Sequence, residues 1–292
     1  MSIDLKDVSL KFKNGNLAIN HVDLEIPKGI YGLLGENGAG KTTLMRVLTT
    51  ILKPSTGRIT IDGMIYGENN YPKIQKKIGY LPQELSLYPN LTVKESLMYM
   101  GQLSDIPKKI CSDRIDYYLE KTSLKEHQNK KNRQLSGGMK RRVGLIQALI
   151  TEPDFLIVDE PTTGLDPEER VRIRNFLVDF SEERTILFST HVVEDLAATC
   201  NQLSIMKKGS FIYSGTVREL LEETKGHIWI CHVSNEEEAR ALEKKYRISS
   251  KQYDGDGMRV KIISERIPAI DCFASDISLE DAYMYISSKP DK

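Results

Sequence analysis

The apolar positions along this chain follow two rhythms. Ile30-Tyr31-Gly32-Leu33-Leu34, Phe155-Leu156-Ile157-Val158 and Thr185-Ile186-Leu187-Phe188 are short apolar runs. Such runs read as buried strands, covered on both faces where they are continuous. Between them, residues 42–48, 91–100 and 110–119 carry apolar positions at helical spacing, as does the stretch from 167 to about 183, with Pro167 in its first turn. Thr92 is placed to cap the second of these helices. Residues 3–26 and Ile59-Thr60-Ile61 alternate instead and predict antiparallel strands flanking the core. The expected class is α/β, with a helical insertion at about 88–150.

Further along, Leu203-Ser204-Ile205-Met206 and Phe211-Ile212-Tyr213 predict two short strands, joined by Lys207-Lys208-Gly209-Ser210. Thr216 is expected to cap a helix over 217–223. Gly226 is the expected boundary, giving a domain over 1–225 and a small α+β domain over 226–292. In the latter, Ile228-Trp229-Ile230 reads as a strand and 235–246 as a charged amphipathic helix. Asp254-Gly255-Asp256-Gly257 reads as a hairpin turn rather than a calcium loop, whose other ligand positions are absent. A last helix begins at Ser278.

Composition narrows the classes. The chain has 292 residues, with 41 basic and 41 acidic side chains, so a strongly basic nucleic-acid footprint is not expected. The basic stretches Lys130-Lys131-Asn132-Arg133 and Lys140-Arg141-Arg142 are expected to be solvated faces. No apolar run approaches the ~18 residues of a membrane span, and Met1-Ser2-Ile3-Asp4-Leu5-Lys6 lacks a signal peptide's apolar core. A cytosolic protein is expected. Cys111, Cys200, Cys231 and Cys272 form no C-x-x-C pair and are expected to be reduced and structural.

The chemistry begins at Gly35-Glu36-Asn37-Gly38-Ala39-Gly40-Lys41-Thr42, which fits G-x-x-x-x-G-K-[ST] between a predicted strand and a predicted helix. Gly35, Gly38 and Gly40 let main-chain N–H groups approach an anion, and the helix N-terminus adds positive potential. Lys41 is expected on the β- and γ-phosphates, and the Thr42 hydroxyl on Mg²⁺. Thr43 completes the contact segment. The strand 155–158 ends in Asp159-Glu160-Pro161, at a carboxyl end where ligands of open α/β sheets bind. Asp159 is expected to hold Mg²⁺ through a water, and Glu160 to take a proton from an attacking water.

Leu135-Ser136-Gly137-Gly138-Met139 then resembles the signature of the ATP-binding subunit of an ABC transporter, with Met139 in place of the usual glutamine. The resemblance runs from residue 3 to about 220. It implies a P-loop NTPase (RecA-like) core, with the antiparallel and helical subdomains around it. It identifies Gln83, in Gly79-Tyr80-Leu81-Pro82-Gln83, with the Q-loop contact to Mg²⁺ and water. Gly164-Leu165-Asp166 is similar to the D-loop, and His191, in Ser189-Thr190-His191, to the switch histidine on the γ-phosphate. Phe12 matches the position of the aromatic that stacks on adenine, although an aromatic in an alternating strand is equally a core residue.

The resemblance also implies a head-to-tail homodimer in which Ser136, Gly137 and Gly138 of one subunit close over ATP on the other. It implies a separate integral-membrane permease and a place on the inner face of the membrane. The segment after Ser278 resembles the close of ATPase subunits from drug, lantibiotic and bacitracin-resistance exporters, so export is favoured over import. One alternative is a soluble ATPase of the same type acting on ribosomes or nucleic acid. Such proteins usually carry paired nucleotide domains or a coiled-coil insertion. A P-loop kinase or GTPase would leave Ser136–Gly138 and His191 without a role.

Overall fold

The computed structural model describes residues 2–182, 184–255, 257–268 and 272–289. The chain opens with β1 (Ile3–Lys11) and β2 (Leu17–Ile26), paired antiparallel. β3 (Gly29–Leu34) runs through a glycine-rich loop into α1 (Lys41–Leu48). β4 (Thr56–Ile61), β5 (Met64–Ile65), α2 (Tyr71–Lys77) and β6 (Ile78–Leu81) follow. One antiparallel sheet takes the order β2-β1-β4-β5, as the alternation of residues 3–26 and 59–61 predicts. Its inward side chains Ile3, Leu5, Ile19, Ile26, Ile59 and Ile61 are buried with Leu44, Met45 and Leu48 of α1.

The helical insertion comprises α3 (Val93–Leu103), α4 (Lys108–Lys121) and α5 (Gly137–Leu149). Thr92 caps α3 reciprocally: its hydroxyl accepts from Glu95 N while the Glu95 carboxylate accepts from Thr92 N at 2.8 Å. The chain then gives β7 (Phe155–Asp159), α6 (Pro167–Phe180), β8 (Thr185–Thr190), α7 (Val193–Ala197), β9 (Gln202–Lys207) and β10 (Ser210–Thr216). The second sheet has the order β10-β9-β3-β8-β7-β6, and its pairings from β9 to β6 are parallel. Every residue of β7 and β8 is buried, which explains why both read as unbroken runs rather than alternations.

The chain divides into two units, Met1–Phe211 and Ile212–Lys292. The second holds α8 (Val217–Thr224), β11 (Ile228–Val233), α9 (Glu236–Glu243), β12 (Arg247–Asp254), β13 (Gly257–Ile263), β14 (Cys272–Ala274) and α10 (Leu279–Ser288). Its antiparallel sheet has the order β12-β13-β11-β14, and Ala239 of α9 packs on Val260 and Ile262 of the sheet. The division falls earlier than Gly226, because α8 packs on α10 within the second unit. Thr216 caps α8 and Ser278 caps α10, both with reciprocal carboxylate contacts. The expected turn joins β12 to β13 with Asp254 opposite Gly257; Asp256 lies outside the described residues.

One expectation on the cysteines is corrected. Cys231 and Cys272 are disulfide-bonded, whereas Cys111 and Cys200 are free and buried. The two bonded residues are direct partners across β11 and β14. That adjacency comes from strand register, which their spacing in sequence does not reveal.

Candidate active site

Parallel register assembles the site. Leu34 of β3 pairs with Thr190 of β8, and Asp159 of β7 pairs with Ser189 of β8. The next residue on each strand is therefore delivered to one edge: Gly35, His191 and Glu160. An open cleft here is lined by Phe12, Glu36, Asn37, Gly38, Gly40, Lys41, Thr42, Thr43, Gln83 and Glu160, among others.

The loop after β3 is shaped for an anion. Gly40 takes φ 112°, and a Cβ there would lie 2.5 Å from Ala18 O, so glycine is required on two grounds. Gly40 is also the N-cap of α1 and supplies no side-chain acceptor, which leaves the first N–H groups of the helix free for a ligand. Lys41 is buried, its Nζ donating to Gly35 O (2.5 Å) and Glu36 O (3.2 Å) and lying 3.4 Å from Glu160 Oε1.

Glu160 is held on every side. Its backbone sits at φ 50°, a strained value for this residue type. Thr163 Oγ1 donates to Glu160 Oε2 (2.7 Å), and His191 Nδ1 lies 2.7 Å from the same oxygen. Glu160 Oε1 is buried with no hydrogen-bond partner among the described residues, facing only Lys41. The carboxylate is thus fixed in orientation with one oxygen left for a further donor.

Asp159 is equally constrained. Ser189 Oγ donates to its Oδ1 (2.6 Å) and accepts from Glu160 N (3.1 Å). Asp159 Oδ2 is buried with no partner among the described residues. A buried carboxylate oxygen without a protein donor is free to accept from a water or to face a cation. With Thr42 and Gln83 on the cleft wall, the donors are all oxygens, which fits Mg²⁺. Phe12 follows β1 rather than lying within it and is 37% exposed at the cleft, so it is a wall residue and not core.

Ser136, Gly137 and Gly138 are placed elsewhere. Ser136 caps α5, accepting from Met139 N (3.2 Å), and both Ser136 and Gly137 are exposed. They are not among the cleft-lining residues of their own chain. Asp166 caps α6 by accepting from Glu169 N (2.9 Å).

Two arginines overturn the reading of 140–142 as a solvated face. Lys140 is exposed, but Arg141 and Arg142 are buried. Arg142 reaches Thr122 O (2.5 Å) and the Glu169 carboxylate (3.1 Å). Arg141 reaches four main-chain oxygens around the site, at Pro82, Gln83, Asp159 and Pro161. The helix face they occupy is turned inward by the packing of α5, which charge counting along the sequence cannot show. Ser189 and Thr163 were missed for a different reason, since strand register and the turn after Glu160 bring them to the acids; their only sequence signal is their closeness to His191 and Glu160.

A phosphate loop, two adjacent acids at the end of a buried strand, and a histidine just past the neighbouring strand come together at one edge of the sheet. The family model described as "ABC transporter" matches residues 19–163. A relative in Bacillus subtilis, the uncharacterized ABC transporter ATP-binding protein YxlF, is 35% identical, covering 87% of this chain and 88% of its own. The chain belongs to the ABC transporter family. Within that family this subunit is similar to the Nod factor export ATP-binding protein I of Cupriavidus pinatubonensis (35% identical, 77% of this chain, 69% of that one). It is likewise similar to the daunorubicin resistance ATP-binding protein DrrA3 of Streptomyces coeruleorubidus (38% identical, 72% and 66%). Among solved structures, a cassette described as a dimer in a post-hydrolysis state with ADP and phosphate superposes with a TM-score of 0.67. It is 25% identical and covers 73% of this chain and 98% of its own. The ABC subunit described here binds and hydrolyses ATP. Among its described residues, no helix is long and apolar enough to cross a membrane.

Proposed function

We propose that this subunit powers export through a separate membrane permease, working as a head-to-tail homodimer that ATP closes and hydrolysis releases. In this reading the loop 35–43 binds the phosphates, Lys41 neutralises the β- and γ-phosphates, and Phe12 stacks on adenine. Thr42, Gln83 and, through a water, Asp159 hold Mg²⁺. When bound, that ion offsets phosphate charge as the bond to the γ-phosphoryl breaks. Glu160 takes the proton of the attacking water, and His191 orients that carboxylate and reaches the γ-phosphate.

The observation that carries the reading is the grip on Glu160. Its carboxylate is fixed by His191 and Thr163 beside Lys41, with Oε1 unsatisfied at the phosphate loop. Exposure of Ser136 and Gly137 supports the dimer, since a donor pair remote from its own cleft is available to the cleft of a second copy. The exposed Tyr88–Tyr99 edge-to-face pair on the segment after Gln83, with exposed Leu103 nearby in sequence, supplies apolar surface for a permease. Export is favoured by the names of the relatives. The unit Ile212–Lys292 is read as an accessory domain, and the place of action as the inner face of the membrane, reached through the permease.

Glu160→Gln is expected to keep ATP binding and lose about 10²–10⁴-fold in turnover. Turnover near wild type would reject Glu160 as the base. Capture from detergent-solubilised membranes is expected to recover an integral membrane protein; recovery of ribosomes would favour the soluble alternative.

A further inference from the structure

Arg141 projects from α5 about a turn beyond the signature and is the meeting point of three segments. Its Nε donates to Pro161 O (3.2 Å), Nη1 to Pro82 O (2.6 Å) and Gln83 O (2.9 Å), and Nη2 to Asp159 O. The residue is 8% exposed. Burial pushes its pKa down to about 10, so the guanidinium stays charged at neutral pH, in the field of Asp159 and Glu160. No described carboxylate hydrogen-bonds it.

Burying a cation costs stability that an apolar side chain of similar volume would not. A role confined to packing does not account for that choice. The acceptors do: Pro82 and Gln83 belong to the turn that carries one proposed Mg²⁺ contact. Asp159 and Pro161 flank the end of β7, which carries another and the proposed base. The rigid fork of a guanidinium spans both segments at once, as a lysine amine cannot.

We propose that Arg141 is a positioning residue that locks the backbone of Gln83 to that of Asp159 and ties the pair to the signature helix. The spacing of the two oxygen donors then depends on the seating of α5. A displacement of Ser136–Gly138 is conveyed to the cation side of the cleft through this side chain. The inference rests on the reading of the cleft as the ATP and Mg²⁺ site.

The test uses the full chain with Mn²⁺ standing for Mg²⁺. Bound Mn²⁺ is followed by electron paramagnetic resonance in the presence of ATP, and ATP affinity is measured separately without metal. In Arg141→Met, metal-free ATP affinity is expected to be unchanged, while Mn²⁺ affinity of the ATP-loaded protein falls by about 10–100-fold. Arg141→Lys, which keeps the charge but not the fork, is expected to lie between. A folded Met variant that holds Mn²⁺ as the wild type does overturns the proposal, as does a parallel loss of ATP affinity with and without metal. If the Met variant fails to fold, the Lys variant decides alone, and wild-type Mn²⁺ affinity there overturns it equally. Failure of the wild-type chain to bind ATP would defeat the reading of the cleft instead, so the two failures are distinguishable.

Discussion

Ser189 serves both acids at once, its hydroxyl donating to Asp159 Oδ1 and accepting from Glu160 N. It is fully buried, so no water replaces it when it is lost. Ser189→Ala leaves Asp159 Oδ1 without its donor, while Glu160 N keeps the main-chain oxygen of residue 189 (3.1 Å) as its acceptor. The expected cost is about 1–3 kcal/mol of stability, read by urea denaturation without nucleotide. An unchanged midpoint would show that the network around Ser189 is not the constraint described here. At this scale the sequence was most legible where chemistry depends on neighbours in the chain. Lys41, Thr42, Asp159 and Glu160 belong to contiguous strings, and the strands that carry them read plainly. Ser189, Thr163 and Arg141 were not legible as site residues, because each acquires its role from a partner fixed only by register or by the inward turn of a helix.

Among the elements, helix ends were well marked and helix faces were not. Thr92, Thr216 and Ser278 each stand before a helix with a carboxylate that reaches back, as their sequence contexts suggest. These caps make an acid-sensitive contribution. Hydrogen bonds from Thr92 hold the Glu95 carboxyl below its ordinary value of 4.5, and Thr216 does the same for Glu219. A depressed folded-state value means stability present above pH 4.5 and lost as pH falls through the lower folded value. Glu95→Gln is expected to flatten that acid limb in a pH series of thermal melts, while an unaltered limb would remove the cap as its source. The face of α5 shows the opposite case. Its three basic residues look uniform in sequence, yet packing exposes Lys140 and buries Arg141 and Arg142. The Cys231–Cys272 bond is of the same kind, since only the pairing of β11 with β14 brings the thiols together.

For the whole molecule, the first unit supplies two half-sites that do not meet within it. The cleft edge carries Lys41, Gln83 and Glu160, and the exposed start of α5 carries Ser136 and Gly137. A second copy turned head to tail would close each cleft with the other's signature, which makes nucleotide the bridge between chains and gives binding a mechanical consequence. With equal numbers of basic and acidic residues, long-range charge contributes little to such pairing. The contact must come from the bound triphosphate and the facing surfaces. The most direct measurement is the mass of the Glu160→Gln chain by light scattering at saturating ATP, with and without Ser136→Arg. The account expects twice the single-chain mass with ATP and the single-chain mass with ADP, and a return to the single-chain mass when Ser136→Arg is added. A single-chain mass under ATP, or a pair indifferent to Ser136→Arg, would contradict it.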